Sequence, residues 1–120
     1  FSFLGFLNKE HEFYDRHIGD NVQIARHAMA IDELRSDFEP TIWEPKSGLD
    51  LKQVWFAGVH SDIGGSYKPD KDGSSLADIS LKWMLREAGN ANLGVESHLT
   101  DRLRANSLAT QHNSRRHIFR

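Results

Sequence analysis

The 120-residue chain contains no cysteine, only three prolines and no long apolar run. The lack of cysteine excludes a disulfide framework and any zinc site built on thiolates. A membrane-spanning helix needs roughly 18 to 20 consecutive apolar residues, and we predict no transmembrane segment. The 15 basic and 17 acidic residues nearly cancel, so charge gives no reason to expect a nucleic acid partner. We also expect no cofactor.

The first regular element predicted from the sequence is an amphipathic helix over Asn21–Phe38. Four apolar residues recur there at helical spacing: Ile24, Ala28, Ile31 and Leu34. Asp20 or Asn21 is suited to cap its first turn. Pro40 disfavours helical geometry in the residue before it, so the helix is expected to end near Phe38.

A buried strand and a second helix follow. The apolar run Gln53–Val59 predicts a strand inside a parallel sheet. The segment Leu76–Ala88 predicts a helix, with Ser75 and Asp78 as a capping box and Gly89 as its stop. Its apolar face is formed by Leu76, Ile79, Trp83 and Met84. A weaker helical pattern covers Thr100–Ala109.

This order of elements predicts an α/β fold, a mostly parallel sheet with flanking helices. One strand cannot form a sheet, so we expect the other strands to lie elsewhere. The chain starts in mid-pattern on Phe1, and we interpret it as part of a longer protein. Its opening residues do not have the pattern of a signal peptide.

The strongest candidate for chemistry is His60, which directly follows the predicted strand in the run His60–Gly65, HSDIGG. In open α/β sheets, ligands bind beyond the carboxyl ends of the strands. Hydrolases of this class carry Ser, then Asp or Glu, then His, with the His after the last strand. The chain has no G-x-S-x-G motif, and Ser61 would point away from His60 on an extended segment. His60 is therefore a candidate general base without a nucleophile in this chain.

Asp32 is the candidate acid that the sequence offers within the chain. It falls inside the predicted helix, whereas a triad acid lies on a loop at a strand end. We therefore interpret Asp32 as a structural residue that pairs with Arg35 or Arg26 on the helix surface. The triad acid is expected upstream of Phe1.

Asp62 has two possible roles. With His60 it forms an H-x-D pair, whose side chains would share one side of an extended segment and suit a divalent metal. The alternative, which we favour, is that Asp62 accepts N–H bonds from the turn over residues 63–65. The other histidines are interpreted as surface or helix positions. We predict no metal site.

Three blocks of the sequence resemble a known family: RHAMAIDELRSDFEPTIW, QVWFAGVHSDIGGSY and LADISLKWML. The resemblance covers about Gly19 to Ala88. The family is an uncharacterised α/β-hydrolase-domain family of bacteria and fungi, which includes phospholipase effectors of the type VI secretion system. This chain resembles its C-terminal half.

The resemblance implies a serine hydrolase whose G-F-S-R-G nucleophile motif lies well upstream. It also implies a triad acid on a W-D-T-V strand end just before this chain, with Phe1–Phe6 as the loop that follows. His60 matches the catalytic base, and Asp32 matches a family position. By this interpretation, residues 1–89 are the C-terminal portion of a hydrolase domain, and residues 90–120 are a polar, partly helical extension.

The function predicted is ester hydrolysis of the lipase or phospholipase type, with the rest of its own hydrolase domain as partner. The isolated chain would be inactive. Two alternatives remain open: a non-catalytic module that docks on a partner chain, and a metal-dependent hydrolase that uses His60 and Asp62. A cytoplasmic protein and a secreted effector are both compatible with the sequence.

Overall fold

A two-stranded parallel sheet organises the protein, for which a computed structural model describes residues 16–113. Strand β1 spans Ile24–Ala30 and strand β2 spans Asp50–Phe56. Ile24 lies opposite Asp50, and Ala30 lies opposite Phe56, so both strands end at the same edge. This sheet and its helices are compatible with the predicted α/β class.

Three helices and one 3₁₀ turn accompany the sheet within residues 16–113. A 3₁₀ turn at Ser36–Phe38 lies between the strands. Helix α1 spans His60–Gly64, helix α2 spans Ala77–Asn90, and helix α3 spans Ser97–Thr100. No helix in this part of the chain is long and apolar enough to cross a membrane.

The predicted helix Asn21–Phe38 is wrong, because strand β1 occupies its centre. The supposed apolar face is the exposed one: Ile31 and Leu34 are 59% and 58% accessible, whereas Met29 is 3% accessible. Pairing with β2 along the whole of β1 overrides the helical spacing of the apolar residues.

The predicted strand Gln53–Val59 exists, but it begins at Asp50 and ends at Phe56. Gly58 follows the strand end with a φ of 115°, a backbone conformation that residues other than glycine rarely adopt. A Cβ atom at Gly58 would also lie 2.5 Å from the Cβ of Asp62. The chain therefore turns sharply at this glycine and enters α1.

The second predicted helix is confirmed, although it runs two residues past its expected end, to Asn90. Gly89 does not stop it, and the capping box does not form. The Ser75 hydroxyl accepts from the N–H of Ala77. Asp78 accepts from the N–H of Arg104, which lies in the C-terminal part of the chain.

An ion cluster fixes α2 to the sheet. Buried Glu87 accepts hydrogen bonds from Lys52 and Arg26, and Arg26 also pairs with Asp50. The bond from Lys52, with a smaller contribution from Arg26, lowers the pKa of Glu87. Arg26 therefore pairs with Asp50 and Glu87, and no ion pair with Asp32 is found for it in the part of the chain that the structure describes.

The C-terminal part is less helical than predicted. The expected helix Thr100–Ala109 is replaced by α3 at Ser97–Thr100, followed by turns. Ser75 and Ala105 form an isolated bridge, which brings this part of the chain against the start of α2. The expected loop Phe1–Phe6 lies outside the described residues.

Candidate active site

The candidate site lies where β1 and β2 end. After β1, the N–H of Ile31 bonds to the carbonyl of Phe56, and the N–H of Asp32 bonds to the carbonyl of Gly58. The two chain segments thus stay paired past the strand ends. This pairing places the residues after β1 beside α1, at the edge where α/β sheets bind ligands.

Glu33 and His60 meet at this edge. The Oε2 atom of Glu33 lies 2.5 Å from Nδ1 of His60 and 3.1 Å from its backbone nitrogen. The Glu33 side chain is fully buried, whereas 33% of the His60 side chain is accessible. Because a carboxylate accepts the bond, Nδ1 carries the proton and Nε2 is the nitrogen left to accept one.

Further contacts fix both partners of this pair. The ring of Phe38 stacks on the imidazole of His60, with centroids 3.9 Å apart and planes 7° apart. The guanidinium of Arg35 lies over the ring of Phe38, 4.5 Å from the ring centroid. Oε1 of Glu33 accepts from the N–H of Arg35. The imidazole is therefore held in one orientation.

Asp32 is a neighbour of this pair and not a member of it. Its Oδ2 accepts a hydrogen bond of 2.7 Å from the N–H of Gly58. The expected position in the middle of a helix is wrong, because Asp32 follows the end of β1. It joins the two segments that carry Glu33 and His60, which is a structural role of a different kind from the predicted surface ion pair.

Asp62 belongs to a second histidine–carboxylate pair. It is 3% accessible, and its Oδ1 lies 2.6 Å from Nδ1 of His112. Its Oδ2 accepts from the N–H groups of Val59 and His112. Asp62 was predicted to accept N–H bonds from the turn over residues 63–65, whereas its backbone donors are Val59 and His112.

The metal-dependent alternative required His60 and Asp62 to lie on one side of an extended segment, and the structure does not have this arrangement. His60 and Asp62 lie on a helix, where residues two apart do not face each other. His60 contacts Glu33 and Asp62 contacts His112, so the two side chains have different partners. In residues 16–113, no group of three or more potential metal ligands is found.

A separate groove of about 420 Å³ lies along α2 and the chain that follows it. It is lined by Lys82, Leu85, Arg86, Gly89, Leu93, Val95, Ser97 and Thr100. None of these residues belongs to either histidine–carboxylate pair. The groove therefore adds nothing to the site at the strand ends.

The sequence patterns did not identify Glu33 or His112 as site residues. Glu33 lay inside the predicted helix, and it could have been found by treating residues 24–30 as a strand, because Asp32 and Glu33 then follow a strand end. His112 carries no local signal, because its partner is 50 residues away.

These observations define an α/β protein with a histidine–carboxylate pair at the carboxyl edge of a parallel sheet. Residues 2–87 match the family described as T6SS, Phospholipase effector Tle1-like, catalytic domain. The chain belongs to this family, and that membership supports a lipase- or phospholipase-like function.

One curated protein is similar to a short part of this chain. A stretch of 40 residues is 45% identical to Uncharacterized protein YEL023C of Saccharomyces cerevisiae. The match covers 32% of this chain and 6% of the length of the yeast protein. No solved structure gives a significant match.

Proposed function

We propose that this chain supplies the acid–base part of a serine hydrolase that cleaves carboxylic esters of phospholipids. His60 is the general base, Glu33 orients it, and the nucleophile comes from outside residues 1–120, which contain no G-x-S-x-G motif. The observation that carries the proposal is the 2.5 Å contact between the buried Glu33 and Nδ1 of His60. The substrate class is supported by the family.

The positions of the protons define the roles of Glu33 and His60. Glu33 fixes the tautomer that has its proton on Nδ1, so Nε2 accepts the serine proton during attack on the ester carbonyl. The imidazolium that forms is stabilised by the charge of Glu33, and it returns the proton to the leaving alcohol. Water then repeats the two transfers on the acyl-enzyme. A deacylated enzyme is restored at the end.

Glu33 competes with the acid expected upstream of Phe1. Both would need Nδ1 of His60, because Nε2 must face the serine. Glu33 already occupies that nitrogen and also accepts from the backbone N–H of His60. We therefore assign the orienting role to Glu33, and the upstream acid stays a prediction.

The test uses the longest polypeptide that the reading frame encodes, with phospholipid vesicles as substrate. We expect His60→Ala to lower ester hydrolysis at least about a hundredfold, because it removes the general base. His98→Ala is the matched control, since His98 is an exposed histidine that contacts Glu96. Full activity in a folded His60→Ala variant would refute the assignment.

A second candidate function is a non-catalytic module that docks on a partner chain. Large apolar side chains on the sheet and on α2 are exposed, among them Trp55 at 47%. Such side chains suit a protein interface. The two functions are separated by the reading frame: a module needs no G-x-S-x-G motif upstream of Phe1, whereas the hydrolase does.

A further inference from the structure

The C-terminal segment 104–113, called here the C-terminal strap, is tied to the site region by three aspartates. Each carboxylate accepts one backbone N–H from the strap, in reversed order along the chain: Asp78 from Arg104, Asp70 from Thr110, and Asp62 from His112. The three distances are 2.8, 2.8 and 2.9 Å. The strap thus runs back along the chain toward α1, where it reaches the helix that begins with His60.

The last of these contacts has a second bond and a ring stack. Nδ1 of His112 donates to Oδ1 of Asp62 at 2.6 Å. The ring of Tyr67 stacks on His112 at 3.8 Å between centroids, with planes 14° apart. Asp62 also accepts the N–H of Val59, the residue before His60, at 3.1 Å. One buried carboxylate therefore connects His112 to the backbone that carries the candidate base.

We propose that His112 is a positioning residue for His60, and that the C-terminal strap is part of the catalytic unit. This inference rests on the proposed function. His112 and Val59 are donors to the same carboxylate, so losing the His112 ring leaves Oδ1 of Asp62 without the donor it has in the structure. A buried carboxylate that lacks a donor either draws in water or moves to find another donor.

A displacement of Asp62 would also displace His60, because Asp62 bonds to the backbone of Val59, the residue before His60. Helix α1 has only five residues and starts at His60, so a shift of the Val59–Asp62 turn moves the first residue of the helix with it. The imidazole of His60 must keep its hydrogen bond to Glu33 while its Nε2 atom faces the serine. A displacement of about 1 Å at such a group can lower the rate about a hundredfold. The strap lies beyond the residues 2–87 that match the family.

The experiment compares His112→Asn with His112→Leu in the longest encoded polypeptide, assayed on phospholipid vesicles. The Asn side chain carries an N–H donor at the same number of bonds from Cα as Nδ1, whereas Leu has the same branching and no donor. We expect Leu to lower kcat by roughly ten- to a hundredfold with little change in KM. Asn should restore most of the lost activity. His98→Leu is the control, because His98 lies outside the strap.

The measured kinetics either support or overturn the positioning role of His112. A His112→Leu variant as active as His98→Leu overturns the inference, as does a rise in KM alone or an equal loss in the Asn and Leu variants. If the Leu variant does not fold, His112→Gln replaces it, because its amide reaches one bond too far; equal activity of the Asn and Gln variants then overturns the inference. The proposed function fails separately, through an active His60→Ala variant.

Discussion

Two histidine–carboxylate pairs lie in the same region and have nearly the same geometry. In each pair the carboxylate contacts Nδ1, at 2.5 Å for Glu33–His60 and 2.6 Å for Asp62–His112. In each the same carboxylate accepts the backbone N–H of its histidine. In each an aromatic ring stacks on the imidazole. Local geometry therefore does not distinguish the candidate base, His60, from the proposed positioning residue, His112.

Position in the fold separates the two pairs. Glu33 and His60 follow the ends of two neighbouring parallel strands, where an α/β sheet exposes its ligand-binding edge. Asp62 and His112 join α1 to the C-terminal strap, and Asp62 also bonds to the backbone before His60. We infer that the first pair transfers protons and the second pair holds the first in place.

The largest effect should come from Glu33→Gln compared with Asp62→Asn. Gln keeps the shape but loses the charge that fixes the tautomer and stabilises the imidazolium, so kcat should fall by roughly a thousandfold or more. Asp62→Asn should lower kcat by about ten- to a hundredfold, because it acts only through position. Initial rates on phospholipid vesicles measure both.

Fold controls accompany this pair of variants. Thermal unfolding should show that both remain folded at the assay temperature, since each substitution keeps the size of the side chain. A larger loss of kcat in Asp62→Asn than in Glu33→Gln would contradict these roles, because His112 would then belong to the proton-transfer pair. A normal kcat in Glu33→Gln would also contradict them and would assign the orienting role to an acid upstream of Phe1.

The sequence allowed the α/β class, the strand before His60 and helix α2 to be predicted, because each depends on a local pattern. The run of Val54, Trp55 and Phe56 is apolar on both faces, which a parallel strand requires. The segment that became α2 has helical spacing and a turn before it. The position of His60 after a strand followed from these two elements.

Strand β1 and both acid assignments required tertiary information. Residues 24–30 contain good helix formers, and only the ladder with β2 makes them a strand. Because the apolar spacing of this segment predicts a helix, the sequence does not place Glu33 at a strand end. The Asp62–His112 contact joins residues too distant in the chain for any periodicity to reveal it.

A smaller effect should follow from Gly58→Ala, which tests whether both pairs depend on one turn. The new methyl group would lie 2.5 Å from the Cβ of Asp62, and the φ of 115° is unfavourable for alanine. The N–H of Gly58 also bonds to Asp32, beside Glu33. The free energy of unfolding should fall by about 1–3 kcal/mol, measured by urea titration.

Gly94→Ala is the matched control for this change. Nothing lies within 4 Å of a Cβ atom at Gly94, and its φ is not positive, so its stability should be unchanged or slightly higher. If Gly58→Ala unfolds at the same urea concentration as the control, the turn is not a constraint on the two pairs.

The smallest effect concerns the pKa of Tyr67, which depends on the charges of the Asp62 and Glu33 carboxylates. Burial raises the pKa of Tyr67 above its ordinary 10.0, and the charges of Asp62 and then Glu33 raise it further. Its neutral form is thus favoured in the folded protein, and this contribution to stability is present below pH 10.0 and is lost as the pH rises through the raised pKa. Asp62→Asn should lower the pKa of Tyr67, and Glu33→Gln should lower it less.

The measurement is NMR titration of ¹³Cζ-labelled tyrosine, with the signal assigned by its loss in Tyr67→Phe. Asp101→Asn, an exposed aspartate that follows α3, is the control and should leave the pKa unchanged. In both site variants the pKa should stay above 10.0, because burial is its largest cause. A pKa that responds to Asp62 but not to Glu33 would mean that Tyr67 belongs to the His112 pair alone, and the two pairs would then be electrostatically separate.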